Sequence, residues 1–214
     1  MNIILMSEPD IDKKWAFPTL KNILNKEDKV CVLAFTFFDD IKNSKDWDRQ
    51  YKKGMGLEYR LITEMFKRYG IQEKQIEWIN YFTDTIEQMI EKVQSSTILC
   101  IPGGAPDLCM KRIKEKKLKK VLKNYAGTIV GISAGAMVCL DKYHITPDYD
   151  YTEYKECTGL GYVSGFDIEA HYVGSKEQME SIDKRKVSIY AIRDNGGMLV
   201  NETITCFGNV EIFE

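Results

Sequence analysis

The chain has 214 residues, with 32 acids against 30 bases and a formal net charge of −2. That length suits one α/β domain, residues 1–214, with a sizeable core. The balanced charge argues against nucleic acid or an anionic membrane surface as the main partner. The start, MNIILMSEPD, lacks the basic residues and the longer apolar stretch of a signal peptide. No run approaches the ~18 apolar residues that span a bilayer, so a cytoplasmic protein is expected.

Asn2 to Met6 reads as a strand, and a helix is expected over Ile11 to Leu24. Lys29 to Phe35 (KVCVLAF) is apolar and β-branched, the signature of a strand buried on both faces. Leu57, Leu61, Ile62, Met65 and Phe66 fall at helical spacing between Gly56 and Tyr69, and Gly70 supplies a stop. Ile76 to Phe82 reads as a strand and Thr83 to Gln94 as a helix. Thr97 to Ile101 is a strand that runs into Pro102-Gly103-Gly104, followed by a basic helix over Asp107 to Lys123. Its apolar positions Leu108, Ile113, Leu118, Val121 and Leu122 mark one buried face, so its lysines read as a solvated face rather than a nucleic-acid patch. Thr128 to Ile132 is a further strand, and Ala134 to Leu140 a short apolar helix.

This alternation predicts a three-layer α/β/α sandwich around a mostly parallel sheet. The last third differs. Tyr162 to Ala170, Ser188 to Ile192, Met198 to Val200, Thr203 to Phe207 and Val210 to Phe213 read as strands with little helix between them, a partly antiparallel extension. His144 to Thr158 is polar, without period, and reads as a long surface loop.

The six cysteines, Cys31, Cys100, Cys109, Cys139, Cys157 and Cys206, form no C-x-x-C pair, and several lie in apolar runs. They read as reduced, buried thiols. Only His144 and His171 are available as imidazole ligands, and neither lies at ligand spacing from a cysteine. No metal site and no cofactor are expected.

Between a strand and a small-residue helix lies Gly131-Ile132-Ser133-Ala134-Gly135-Ala136. A serine on such a strand-to-helix turn presents its hydroxyl at the sheet edge, and glycines two residues away on either side remove side chains that would clash there. The N–H of Ala134 opens the helix and can face an oxyanion. Pro102-Gly103-Gly104 after the preceding strand can supply a second donor.

A serine needs a base. His144 lies beyond a short helix, on the order of 15 Å from the turn, and reads as a surface histidine. His171 follows the strand ending at Ala170, where α/β sheets gather their site residues, and is the expected base. Asp194 is the expected orienting acid. Glu169 is second and Asp167 a step further back; a neighbour on the same strand sits about 6.5 Å away, less suited to reach the outer imidazole nitrogen.

These residues resemble the peptidase E family, the α-aspartyl dipeptidases related to cyanophycinase, within the class I glutamine-amidotransferase-like fold. The resemblance runs from the first strand through Pro102-Gly103-Gly104, the Ser133 turn, Ala170-His171-Tyr172 and Ala191-Ile192-Arg193-Asp194. It implies Ser133 as nucleophile, His171 as base, Asp194 in the place of the family's usual glutamate, and Gly104 and Ala134 as oxyanion donors. Met137 stands where the family typically has Asn, and Ala170 where it usually has Pro. These departures bear on which side chain is recognised rather than on acyl transfer.

The expected activity is a serine-type hydrolysis of a peptide or amide bond in a small peptide, with a homodimer as the candidate assembly. An esterase or amidase acting on a small non-peptide substrate, and a silent binding protein of the same fold, are the alternatives. Gly103, Arg193 and Tyr172 are the candidate substrate contacts, with Arg193 or Lys176 suited to an acidic group and Asp148, Asp150 and Glu153 to a free amine.

Overall fold

The computed structural model describes all residues, Met1–Glu214. The centre of its sheet is built from four short strands without a charged residue: β1 (Ile3–Met6), β2 (Val30–Leu33), β4 (Ile98–Ile101) and β5 (Thr128–Ile132). β3 (Ile76–Ile79), β8 (Phe166–Ala170), β9 (Ser188–Val200) and β10 (Ile204–Phe213) complete it, in the order β10-β9-β1-β5-β4-β2-β3 with β8 paired beside β9. From β1 to β3 every neighbour is parallel.

Alternate residues of these strands feed two separate cores. Ile3, Leu5, Leu33, Leu99, Ile101 and Ile129 face one side, where they meet Met89 and Val93 of α4 (Ile86–Ser95), Cys109 and Ile113 of α5 (Pro106–Glu115), Leu122 of α6 (Lys119–Lys123) and Ala136 of α7 (Ala134–Cys139). Ile4, Met6, Val32, Cys100, Val130 and Ile132 face the other, against Leu20 of α1 (Phe17–Leu20) and Ile62, Met65 and Phe66 of α3 (Leu57–Lys67). This is the expected α/β/α arrangement: period-two side chains on strands buried on both faces.

Several elements differ from the sequence reading. The helix expected over Ile11 to Leu24 is reduced to one turn, because Pro18 sits at its start and no capping side chain supports it. The basic helix breaks into α5 and α6 at Lys117, whose φ of 59° lies in the left-handed region. Two helices were not anticipated. α2 (Ser44–Tyr51) is capped by Asn43, and α8 (Lys176–Ile182) is opened by a Ser175/Gln178 capping box. The supposed surface loop is largely a hairpin of β6 (Lys142–Ile145) and β7 (Lys155–Thr158).

The four strands read at the C-terminus are two long ones. β9 spends one edge on two partners: Ser188–Ile192 pairs parallel with β8, and Gly197–Val200 pairs antiparallel with β1. β10 runs along its other edge, with a register shift between Gly208 and Val210. Arg193 to Gly196 therefore span a gap between the end of β8 and the end of β1. The carboxyl ends of β1, β4, β5 and β8 all open toward it.

Candidate active site

Ser133 sits where β5 stops. Its N–H donates to Met6 O (2.7 Å), tying the turn to the end of β1. Its backbone has φ 50° and ψ −113°, a conformation that costs a non-glycine residue on the order of 1–3 kcal/mol. The flanking glycines make that turn possible by close approach. A Cβ on Gly135 would lie 1.9 Å from Ile101 O, and one on Gly131 would lie 2.8 Å from Ala136 Cα. α7 thus rests directly on the ends of β4 and β5, and only residues without side chains fit between them.

The loop after β4 lies against the serine. A Cβ on Gly103 would stand 3.4 Å from Ser133 Cβ and 3.9 Å from its Oγ. Gly104 has φ 127°, and a Cβ there would lie 2.2 Å from Thr36 O, so no other residue fits. The neighbouring Ala105 N–H donates to that same carbonyl (2.6 Å), fixing the loop. The N–H of Gly104 makes no hydrogen bond within the chain. Ala134, as the first residue of α7, has the N–H that helix geometry leaves unpaired.

His171 is the first residue beyond β8 and also has a positive φ, 52°. Its main chain is held on both sides. Its N–H donates to Ser7 Oγ (3.0 Å), whose own O–H donates to Ile192 O (2.8 Å). Its carbonyl accepts from Gln178 Nε2 (3.1 Å). The ring turns Nδ1 toward Asp194 Oδ1 at 2.7 Å, with Glu8 Oε1 at 3.7 Å. A carboxylate at that distance makes Nδ1 the protonated nitrogen and leaves Nε2 as the basic one. Asp194 reaches the ring because it lies in the gap of β9 described above, inside a long strand rather than at a strand end.

Ser133, His171, Gly103, Gly104, Glu8, Thr36 and Glu58 line one cavity of about 360 Å³. No hydrogen bond joins Ser133 Oγ to the imidazole in this structure; catalytic contacts often tighten only when substrate is bound. A larger cavity, about 620 Å³, lies at the opposite end of the sheet between α4 and α6 and holds none of these residues. The ligand atoms of Glu8, His171 and Asp194 lie within 4.8 Å of one another, close enough to share a divalent cation. The same spacing follows from two acids flanking one imidazole.

The remaining predicted residues are elsewhere. Arg193 is paired with Glu211 through Nε (3.0 Å) and Nη2 (2.6 Å) and does not line the cavity. Tyr172 is buried against Phe213 and donates to Met179 Sδ, also outside it. Lys176 pairs with Glu180 on α8, while Asp148, Asp150 and Glu153 lie in the β6–β7 connection.

His144 is not a surface histidine. It is 1% exposed, on β6, with Nδ1 2.8 Å from Asp167 Oδ2 and Nε2 2.7 Å from Glu169 Oε2. Both acids considered as alternatives to Asp194 are therefore committed to the other histidine. Arg185 completes the cluster, its Nε 2.8 Å from Asp167 Oδ2. Desolvation, the largest influence on His144, acts to lower its pKa. The hydrogen bonds and charges of Asp167 and Glu169 together outweigh it and hold the imidazole up at about 9. Two cations and two anions thus balance inside the protein. Gln178 links this cluster to the site: its Nε2 donates to Glu169 Oε1 (3.1 Å) as well as to the carbonyl of His171.

Sequence reasoning missed Ser7, Glu8, Thr36, Glu58 and Gln178. Ser7 and Glu8 had a usable signal, since they follow directly on β1 in a parallel sheet, where ligand sites gather. Glu58 and Gln178 sit on amphipathic helices and look like ordinary solvated residues.

A strained serine between strand and helix, a glycine loop packed on its side chain and, on the same cavity, a histidine paired with Asp194 form the arrangement a serine hydrolase on an α/β sheet requires. Residues 58–206 match the sequence profile of Peptidase family S51. The fold is similar to that of a candidate peptidase E protein from Listeria monocytogenes EGD-e, with a TM-score of 0.69, 13% identity, and 97% of this chain and 98% of that one covered. It is also similar to a peptidase from an acI-B1 Actinobacterium, with a TM-score of 0.68, 13% identity, and 99% of this chain and 89% of that one covered. No curated protein matches the sequence. The chain belongs to Peptidase family S51, the peptidase E family, and is a serine-type peptidase. No helix is long and apolar enough to cross a membrane.

Proposed function

We propose that the protein cleaves small peptides, in the manner of a dipeptidase, through an acyl-enzyme on Ser133. His171 Nε2 takes the hydroxyl proton as Oγ attacks the scissile carbonyl carbon. The N–H groups of Gly104 and Ala134 receive the oxyanion. His171 then returns the proton to the leaving amine, and a water repeats the sequence to release the acid. Asp194 keeps the proton on Nδ1 and stabilises the imidazolium formed at each step. A cavity of about 360 Å³ suits a substrate of a few residues.

The observation that carries this reading is the shared cavity: the strained Ser133, the Gly103–Gly104 loop against its side chain, and the imidazole paired with Asp194 all open onto it. The test is covalent labelling by a fluorophosphonate together with hydrolysis of a dipeptide panel. Ser133→Ala is expected to abolish labelling and to lower hydrolysis more than about 10³-fold, with the melting temperature retained. Undiminished labelling of Ser133→Ala would place the reactive group elsewhere.

A further inference from the structure

His171 stands on an exposed stretch of chain. Its side chain is 44% accessible, that of its partner Asp194 is 64% accessible, and Val173 is 70% exposed. Residues 171–175 join β8 to α8 without helix or strand of their own, and they start from the left-handed backbone of His171. Such a conformation persists only where its surroundings fix it. One side chain supplies most of the fixing. Gln178 Oε1 accepts from the N–H groups of Val173 (2.9 Å), Gly174 (3.1 Å) and Ser175 (3.3 Å), while Nε2 donates to the carbonyl of His171 (3.1 Å) and to Glu169 Oε1 (3.1 Å). Gln178 is buried, and both ends of its amide are engaged. The amide fits only one way round: reversed, its oxygen would face a carboxylate and a carbonyl, and its N–H groups would face three others. Glu169 is itself anchored, by His144 Nε2 (2.7 Å) and by Thr146 Oγ1 (2.7 Å). The acceptor end of Gln178 has a structural duty, since with Ser175 it forms the capping box that opens α8. The donor end has no part in that helix.

We infer that Gln178 is a positioning residue for the reaction: its Nε2 ties the carbonyl of His171 to the buried Glu169 and so sets where the imidazole stands between Ser133 and the leaving amine. This rests on the acyl-transfer reading of Ser133 and adds a residue to it. The base must reach the serine hydroxyl and then the leaving nitrogen with the same Nε2. A displacement of about 1 Å from that geometry costs on the order of 10²-fold in rate. Asp194 sets the direction of the ring through Nδ1, but that bond lies in solvent and cannot fix the main chain beneath it. Main-chain placement falls to Ser7 on the N–H of His171 and to Gln178 on its carbonyl. Of the two, only Gln178 also holds the three residues that follow Tyr172 and reaches into the His144 cluster.

The two ends of the amide are separable. Gln178→Glu keeps an acceptor for residues 173–175 and puts an oxygen where the donor stood. Ser175→Ala removes the other half of the capping box and leaves the His171 carbonyl bond alone. Labelling by a fluorophosphonate gives two readings, the amplitude for the folded, competent fraction and the rate constant for the reactivity of each site. Gln178→Glu is expected to label to full amplitude with a rate constant roughly 10- to 100-fold below wild type. On a dipeptide its kcat should fall by the same factor with KM within about threefold of wild type. Ser175→Ala should melt at a lower temperature yet keep the wild-type rate constant. A role confined to capping α8 predicts the reverse, wild-type rates in Gln178→Glu. Where Gln178→Glu does not fold, Gln178→Met, of similar length and without charge, takes its place in the same comparison with Ser175→Ala. A wild-type rate constant in the Gln178 variant, or an equal loss in Ser175→Ala, would overturn the inference. Failure of the underlying reading looks different: Ser133→Ala would then label and hydrolyse as the wild type does.

Discussion

His144 carries a positive charge in the middle of the protein, and raising the pH should remove it with a measurable cost. Its imidazole is 1% exposed and lies between Asp167 and Glu169 at 2.8 and 2.7 Å. A pKa displaced from 6.5 to about 9 corresponds to on the order of 3 kcal/mol of stability. The folded value lies above the unfolded one. The contribution is therefore whole below about pH 6.5, shrinks as the pH climbs, and is gone above about pH 9. Urea unfolding of wild type and His144→Gln, run from about pH 6 to about pH 10, isolates the contribution of the cluster, because groups remote from it titrate equally in both proteins. The stability gap between them should narrow by on the order of 3 kcal/mol across that range. Should the variant not fold, the ring can be followed in the wild type by NMR. Only two histidines exist, so His171→Ala assigns the signals. A His144 that titrates at or below the ordinary histidine value, or a stability gap that stays flat with pH, would refute the argument.

Two other outcomes follow from the site geometry. Asp194→Asn should lower kcat by roughly 10- to 100-fold, since a hydrogen bond to a charged group is worth about 1.5–3 kcal/mol and this pair is solvent-exposed. Its unfolding midpoint should barely move, whereas Glu169→Gln, which acts on the buried His144 cluster, should lower the midpoint; reversed effects would exchange the roles of the two acids. Gly135→Ala sets a Cβ against Ile101 O and forces α7 away from β4, so kcat/KM should fall by more than about 10²-fold and stability by about 1–3 kcal/mol. A variant with wild-type kinetics would show that the elbow tolerates displacement.

The layers of the fold and the strand-to-helix turn at Ser133 were legible because both are written locally. Runs such as KVCVLAF declare a strand buried on both faces, and Gly131 to Ala136 declares a turn in which only small residues fit. Where reading failed, the deciding force was long-range. β9 looks like two strands because Asn195-Gly196-Gly197 resembles a turn, yet β10 pairs along both halves and holds it as one. Asp194 reaches His171 only because β8 and β1 share the other edge of β9 and leave a gap between them.

The two histidines show the same division. Sequence determined that any imidazole offered to Ser133 had to be that of His144 or His171, since the chain has no third. Tertiary structure decided what surrounds each one. The β6–β7 hairpin carries His144 into a dry pocket between two acids, where losing its charge is costly. The end of β8 leaves His171 at the rim of a cavity with one nitrogen bonded and the other free. Spacing along a chain fixes which groups exist, but desolvation and the direction of a ring depend on neighbours more than twenty residues away, and no local pattern records them.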